Sequence, residues 1–232
     1  MTLTTRARRA SRLAAVLLTA AALPATGMAP GANPHVNVPF ANPDHGSWVE
    51  AFERPGRELY DRREAVLTAL ALQPGMRVAD VGAGTGLYTE LFARAVGAEG
   101  RVYAVDVAAS FIGAIEQRML AQGLQNVRGI VNTQRSTLLP PNSVDLVFVA
   151  DTYHHFEHPV DMLRSIHAAL APAGELVIID FRREPEVASP WVMQHVRAGR
   201  DQVVHEVELA GFRFVGEEPI LRGNFFLRFR KP

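Results

Sequence analysis

Arg77-Val78-Ala79-Asp80-Val81-Gly82-Ala83-Gly84-Thr85-Gly86-Leu87-Tyr88-Thr89 changes character twice within thirteen residues. Val78, Ala79 and Val81 make the near-continuous apolar run of a strand covered on both faces, as in a parallel sheet. Gly82, Gly84 and Gly86 remove side chains where the backbone must turn sharply and where a ligand must approach it. Residues 87–96 then carry a helical pattern, and the first N–H groups of that helix face the loop. The stretch therefore reads as strand, glycine loop and helix.

The glycine spacing discriminates between cofactors. A dinucleotide fingerprint places glycines first, third and sixth, and a phosphate-binding Walker loop ends in Gly-Lys-Ser/Thr. Here the sixth position is Leu87, which disfavours an NAD oxidoreductase, and no lysine follows, which disfavours a Walker loop. The third glycine falls fifth, in the order Asp-Val-Gly-Ala-Gly-Thr-Gly. That order resembles motif I of the class I S-adenosylmethionine-dependent methyltransferases. The resemblance implies a Rossmann-like fold, S-adenosylmethionine as cofactor, and contacts to it from Asp80, Gly82, Ala83, Gly84 and Gly86.

Residues downstream extend the resemblance. A second apolar run, 101–106, stops on Asp106 about twenty residues past the loop, where an acid meets ribose hydroxyls. A carboxylate accepts two such donors at once, so Asp106, with Val107 beside it, is expected at the ribose. The simpler alternative is that Asp106 caps the helix beginning near Ala108. After a third strand, 127–131, the family often carries an acid toward the adenine amino group. This chain has Asn132-Thr133-Gln134, and Thr133 is the expected contact, since a hydroxyl or an amide oxygen can accept the same bond.

The fourth strand, 144–150, is apolar but for Asp145 and ends in Asp151-Thr152-Tyr153-His154-His155-Phe156. Strand carboxyl ends border the ligand crevice of open α/β sheets. In the resembling family this position follows the sulfonium and faces the acceptor. Asp151 is therefore expected at the cofactor, and Tyr153, His154 and His155 are the catalytic candidates, a histidine being able to remove a proton near neutral pH. With His158 the run can also be read as a metal cluster, but consecutive residues diverge and no second cluster supplies further ligands, so no metal is expected. The simpler alternative is that either histidine caps the following helix. Methyl transfer does not strictly need a base, because the sulfonium is already activated and alignment in a dry pocket supplies much of the effect.

The remaining chain suits one domain with a tail. Of 232 residues 48% are hydrophobic, which is ordinary for a globular protein. Residues 1–29 place Arg6, Arg8, Arg9 and Arg12 before an apolar stretch, 13–23, and then small residues, a pattern that resembles a secretory leader. It predicts export, with retention as an uncut membrane tether or translation from Met28 as alternatives. Export collides with a cofactor made in the cytoplasm. Removing the segment leaves 20 basic against 24 acidic side chains. No basic stripe remains to follow a phosphate backbone, which argues against nucleic-acid substrates and for a small-molecule acceptor. There is no cysteine, so disulfides and thiolate chemistry are excluded.

Residues 30–46, rich in Pro, Asn and Gly, read as a mobile linker, with the domain over 47–232. A helix over 59–72 precedes the first strand, and Arg57, Tyr60 and Arg63 near it can reach the cofactor or be solvated. The Leu170-Ala171-Pro172-Ala173-Gly174 turn before a strand at 175–181 is common in the family. Residues 184–199, with Trp191, Met193, His195 and Arg197, read as an insertion that closes over a substrate or as a surface helix packed on Trp191. Asp201 is expected to cap a helix stopped by Gly211, and two strands at 212–215 and 225–229 end the chain. The predicted fold is α/β, a mainly parallel seven-stranded sheet of order 3-2-1-4-5-7-6 with strand seven antiparallel and helices on both faces. More narrowly, the Asp-Thr-Tyr-His-His-Phe run and the Asn-Phe-Phe-Leu-Arg-Phe ending resemble a group of bacterial methyltransferases that carry leader sequences. The rival to an enzyme is a binding module that keeps a nucleoside-type pocket without transfer chemistry.

Overall fold

The computed structural model describes residues 30–232. The leader expected over 1–29, and the exported localisation that depends on it, lie outside the described residues. Strand β1 (Arg77–Val81) leads through the glycine loop into α4 (Leu87–Val96), after three earlier helices, α1 (His45–Phe52), α2 (Glu58–Asp61) and α3 (Arg63–Leu70). Then come β2 (Arg101–Asp106), α5 (Ala109–Ala121), β3 (Val127–Val131), β4 (Val144–Ala150), α6 (Pro159–Ala169) and β5 (Leu170–Phe181). The chain closes with α7 (Pro190–His195), α8 (Arg200–Leu209), β6 (Arg213–Glu217) and β7 (Asn224–Arg230).

The strands form a single sheet in the order β3-β2-β1-β4-β5-β7-β6, as expected from the sequence. β1 to β5 are parallel, and β7 pairs antiparallel with both β5 and β6. Period-two alternation within apolar strands explains the two-sided core. In β4, Val147 and Val149 pack with Leu163, Ile166 and Val207 on one face. Leu146 and Phe148 pack with Val66, Phe92 and Val96 on the other. Strand order reverses between β1 and β4, and a crevice opens at such a point beyond the strand carboxyl ends.

Several local expectations are corrected. Residues 30–46 are structured rather than an unpatterned linker. Asn33 caps a 3-10 turn at Pro34–Phe40, Asp44 caps α1, and Ala32 donates to the Phe156 carbonyl at 2.8 Å. The bonds that hold this strap reach more than a hundred residues along the chain, so no local periodicity announces them. The helix expected over 59–72 is two helices, broken at Arg62 and stopped by Ala71 in the left-handed region. α8 is capped by Gly199, while Asp201 lies in its first turn and pairs with Arg200. Among the described residues no helix is long and apolar enough to cross a membrane.

Candidate active site

A cavity of about 400 Å³ lies at the carboxyl ends of β1, β2 and β4. Its floor is the loop after β1. The amides of Gly82 and Ala83 both donate to the Val105 carbonyl, at 2.8 and 3.1 Å, tying that loop to β2. Gly82 has φ +77°, and a Cβ there would stand 2.2 Å from Thr152 of the segment after β4, so only glycine lets the two strand ends close together. Gly82, Ala83 and Gly84 line the cavity. Gly86, expected as a cofactor contact, does not line it. It begins α4 at φ +87°, and an added Cβ would meet Ile115 at 2.9 Å, so its role is close packing against α5.

Two buried acids stand beside this loop. Asp80 accepts from the Thr89 hydroxyl at 2.7 Å, and burial pushes its pKa up to about 7, with the nearby Asp106 adding to the rise. Asp106 accepts from the Gly84 amide through Oδ2 and from the Ala108 amide through Oδ1, both at 2.9 Å. Burial raises its pKa, and those amides partly offset the rise. Asp106 does not cap α5, whose N-cap is Ala108 without a side-chain bond; it fixes the Ala108 amide just ahead of the helix. Because each oxygen has further acceptor capacity it can also receive hydroxyls. Val107 lines the cavity beside it.

Thr133 does not reach the cavity. Its hydroxyl accepts the Arg135 and Ser136 amides, at 3.2 and 3.1 Å, and so closes an exposed turn. Its neighbours Asn132 and Gln134 line the wall instead. Asn132 donates its amide to the Thr133 carbonyl, which leaves its Oδ1 buried without a hydrogen-bond partner. A buried acceptor without a partner carries a penalty that an amino-group donor would relieve.

The end of β4 supplies the other wall. Asp151 takes a left-handed φ of +46°, a conformation that costs a non-glycine residue energy and persists only where its surroundings impose it. Those surroundings are Arg57, 2.7 Å from Oδ2, and Asn224, 2.7 Å from Oδ1. Arg57 thus reaches the site, bonded to an acid of its wall. Tyr153, a catalytic candidate, points away from the cavity. It is buried in the core, its hydroxyl donates to Glu206 at 2.6 Å, and burial raises its pKa well above the usual phenol value.

His154 and His155 both line the cavity, and each is held by a residue that sequence reasoning missed. His154 Nδ1 lies 2.7 Å from Asp180, at the carboxyl end of β5; burial lowers its pKa, but the charge and hydrogen bond of Asp180 more than reverse this. His155 Nδ1 lies 2.8 Å from Asn37 in the strap, and burial together with His154 pushes its pKa down to about 3. His195 of α7 joins them, stacked on Trp191 at 4.4 Å. The strand-end rule that selected Asp151 applies equally to Asp180, whereas Asn37 had no local signal. Phe40, Trp48 and Phe52, with successive ring centroids 4.8 Å apart, cover the cavity from the strap and α1.

Asp106→Ala is expected to weaken S-adenosylhomocysteine binding by about 1.5–3 kcal/mol, the scale of a hydrogen bond to a charged group, or roughly 10- to 150-fold. Calorimetric titration of the variant measures it, and unchanged affinity would refute the ribose assignment.

Comparison with known proteins agrees with this geometry. A family model described as a methyltransferase domain matches residues 78–174. A solved S-adenosylmethionine-dependent methyltransferase from Aquifex aeolicus is 30% identical, with TM-score 0.73 over 82% of this chain and 100% of that one. The ubiquinone/menaquinone biosynthesis C-methyltransferase UbiE of Ectopseudomonas mendocina is 33% identical over 113 residues, 48% of this chain and 44% of the relative. The demethylmenaquinone methyltransferase of Geobacillus stearothermophilus is 30% identical over 118 residues, 51% of this chain and 50% of the relative. The chain thus spans about half the length of these curated relatives.

Proposed function

Since this chain belongs to the S-adenosylmethionine-dependent methyltransferases, we propose that it transfers the cofactor's methyl group to a small aromatic acceptor of the phenol or hydroquinone class. The observation that carries this reading is the continuity of the cavity. The glycine loop and Asp106 share one space with the aromatic rings of Phe40, Trp48, Phe111 and Trp191 and with three histidines. The first group suits the cofactor, whose bound form supplies an already activated methyl; the second suits a flat apolar ring bearing a polar oxygen. Asp106 would hold the ribose, Asn132 Oδ1 would accept from the adenine amino group, and the acceptor's oxygen would face the histidines. The strap and α1 would exclude water while donor and acceptor are brought into line. The relatives' names point to quinone-type acceptors and support the same class.

Incubation with methyl-labelled S-adenosylmethionine and separate panels of hydroquinones and phenols, aliphatic amines, and oligonucleotides tests the proposal. The expected result is label in the phenolic panel with matching S-adenosylhomocysteine release. Transfer only to amines or nucleic acid, or tight homocysteine-product binding without turnover on any panel, would overturn it, the latter in favour of a binding module. Export is proposed alongside, on the leader pattern alone. Sequencing the mature amino terminus from the native host tests it, and an intact Met1 or a Met28 terminus on a purely cytosolic protein would contradict it.

A further inference from the structure

Three histidine rings from two distant parts of the chain converge at the acceptor end of the cavity. His154 and His155 come from the 3-10 turn after β4, and His195 ends α7. One ligating nitrogen from each lies within 4.8 Å of the others. Adjacent residues ordinarily diverge, but this turn leaves the His154 and His155 ring centroids 4.2 Å apart and directs Tyr153 into the core instead. The His195 centroid stands 5.2 Å from His154 and 5.4 Å from His155.

The outer contacts are those of ligand histidines. Asp180 holds Nδ1 of His154 and Asn37 holds Nδ1 of His155. A ring that donates its Nδ1–H to an oxygen presents Nε2 as a lone pair in a fixed direction, the arrangement that orients metal-bound imidazoles. Asp180, buried and acidic, also supplies negative charge next to the group. Trp191 stacks on His195 and sets its plane.

We propose that His154, His155 and His195 form a site for a divalent transition ion of the zinc type, with its fourth position open to the cavity. Neutral imidazoles suit such ions, and three protein ligands with one open position are the pattern of a reactive rather than a structural centre. Bonds of about 2.0–2.1 Å in a tetrahedral site would put the nitrogens about 3.4 Å apart, so the ion would draw the rings inward. His195, half-buried on the six-residue α7, is the partner with room to close. The ion's role, though not its binding, rests on the acceptor reading above: an open position would take the acceptor's hydroxyl oxygen and favour its ionised form, the proton passing to water.

The test uses the full-length chain produced without a polyhistidine tag, stripped with chelator and titrated with Co²⁺ by visible absorption, then with Zn²⁺ in competition. One equivalent of Co²⁺ with a four-coordinate spectrum, displaced by Zn²⁺, is expected. His195→Ala and His195→Gln should each lower metal affinity at least tenfold while S-adenosylhomocysteine binding stays within twofold of wild type, which also reports an intact fold. His158→Gln, next to the turn but outside the three rings, should bind metal as wild type does. Absence of saturable binding at one equivalent, unchanged affinity in both His195 variants, or an equal loss in His158→Gln would overturn the site. Metal binding without methyl transfer would count against the proposed function alone, and full transfer by the metal-free chain against the ion's role alone.

Discussion

Glu206→Ala is expected to destabilise the protein by about 3–5 kcal/mol, the scale for breaking one side of a buried ion pair. Glu206 is fully buried on α8 and receives Arg197 through two bonds, at 3.0 and 2.8 Å, and the Tyr153 hydroxyl at 2.6 Å. Its loss leaves the Arg197 guanidinium charged and almost wholly buried, 5.0 Å from the Tyr153 ring. These contacts join α8, the segment after α7 and the turn that carries His154 and His155, so the loss loosens the histidine group as well as the core. Urea unfolding should show the full loss for Glu206→Ala and a smaller one for Glu206→Leu combined with Arg197→Met, because the pair removed together leaves no uncompensated charge. Equal losses would show that the charge pair is not the cause. The sign with pH follows from the same contacts. Burial alone would raise the Glu206 pKa, but Arg197 and the hydroxyl of Tyr153 bring it below the ordinary value of 4.5. Its stabilising contribution is therefore present above about pH 4.5 and is lost as pH falls through the lower folded value.

Asp80→Asn is expected to stabilise the protein at pH 8 by up to about 4 kcal/mol, the equivalent of a shift of about three pKa units, and to change little at pH 4. The Asp80 carboxyl has its pKa raised by burial from 3.8 to about 7. Such a group contributes stability that is complete below the unfolded value and is lost as pH rises through the folded one. Asparagine can accept the same bond from Thr89 and never ionises, so the difference between the two proteins should grow between pH 4 and 7. Denaturant midpoints across that range measure it, and a constant offset would contradict the assignment. The tension has a function in the proposed reaction. S-adenosylmethionine carries sulfonium and ammonium charges, and a buried acid poised near neutrality becomes an anion when a cation arrives beside it. Cofactor binding at pH 7 should then release protons in the wild type and fewer in Asp80→Asn, read from calorimetry in buffers of different ionisation enthalpy.

What the sequence disclosed, and what it did not, divides by range. The sheet order follows from alternating strands and helices under a right-handed crossover rule, and Asp80, Gly82, Ala83, Gly84 and Asp106 fall at the cavity because a strand, its loop and its terminal acid lie within a few residues of one another. Side-chain direction was not available from that pattern. Within Asp151-Thr152-Tyr153-His154-His155 the 3-10 turn decides which rings face the cavity, and it sends Tyr153 to Glu206, 53 residues on. Thr133 was displaced from the wall for a similar reason, since its hydroxyl closes the 133–136 turn. Asp180 stands at a strand end and His195 in the 184–199 insertion, but their pairing with the turn histidines comes only from contacts made in the folded chain, and the strap that brings Asn37 in was hidden by its Pro- and Asn-rich composition.

The most direct test of the central claim is a crystal structure of the protein with S-adenosylhomocysteine bound. The nucleoside is expected in the 400 Å³ cavity, with its ribose hydroxyls within about 2.6–2.9 Å of the Asp106 carboxylate, its adenine amino group on Asn132 Oδ1 and its sulfur directed toward the space in front of His155. Density for the ligand elsewhere, such as the second cavity of about 360 Å³ between Leu70, Pro172 and Arg228 at the amino ends of the strands, with the Asp106 pocket left to solvent, would contradict it.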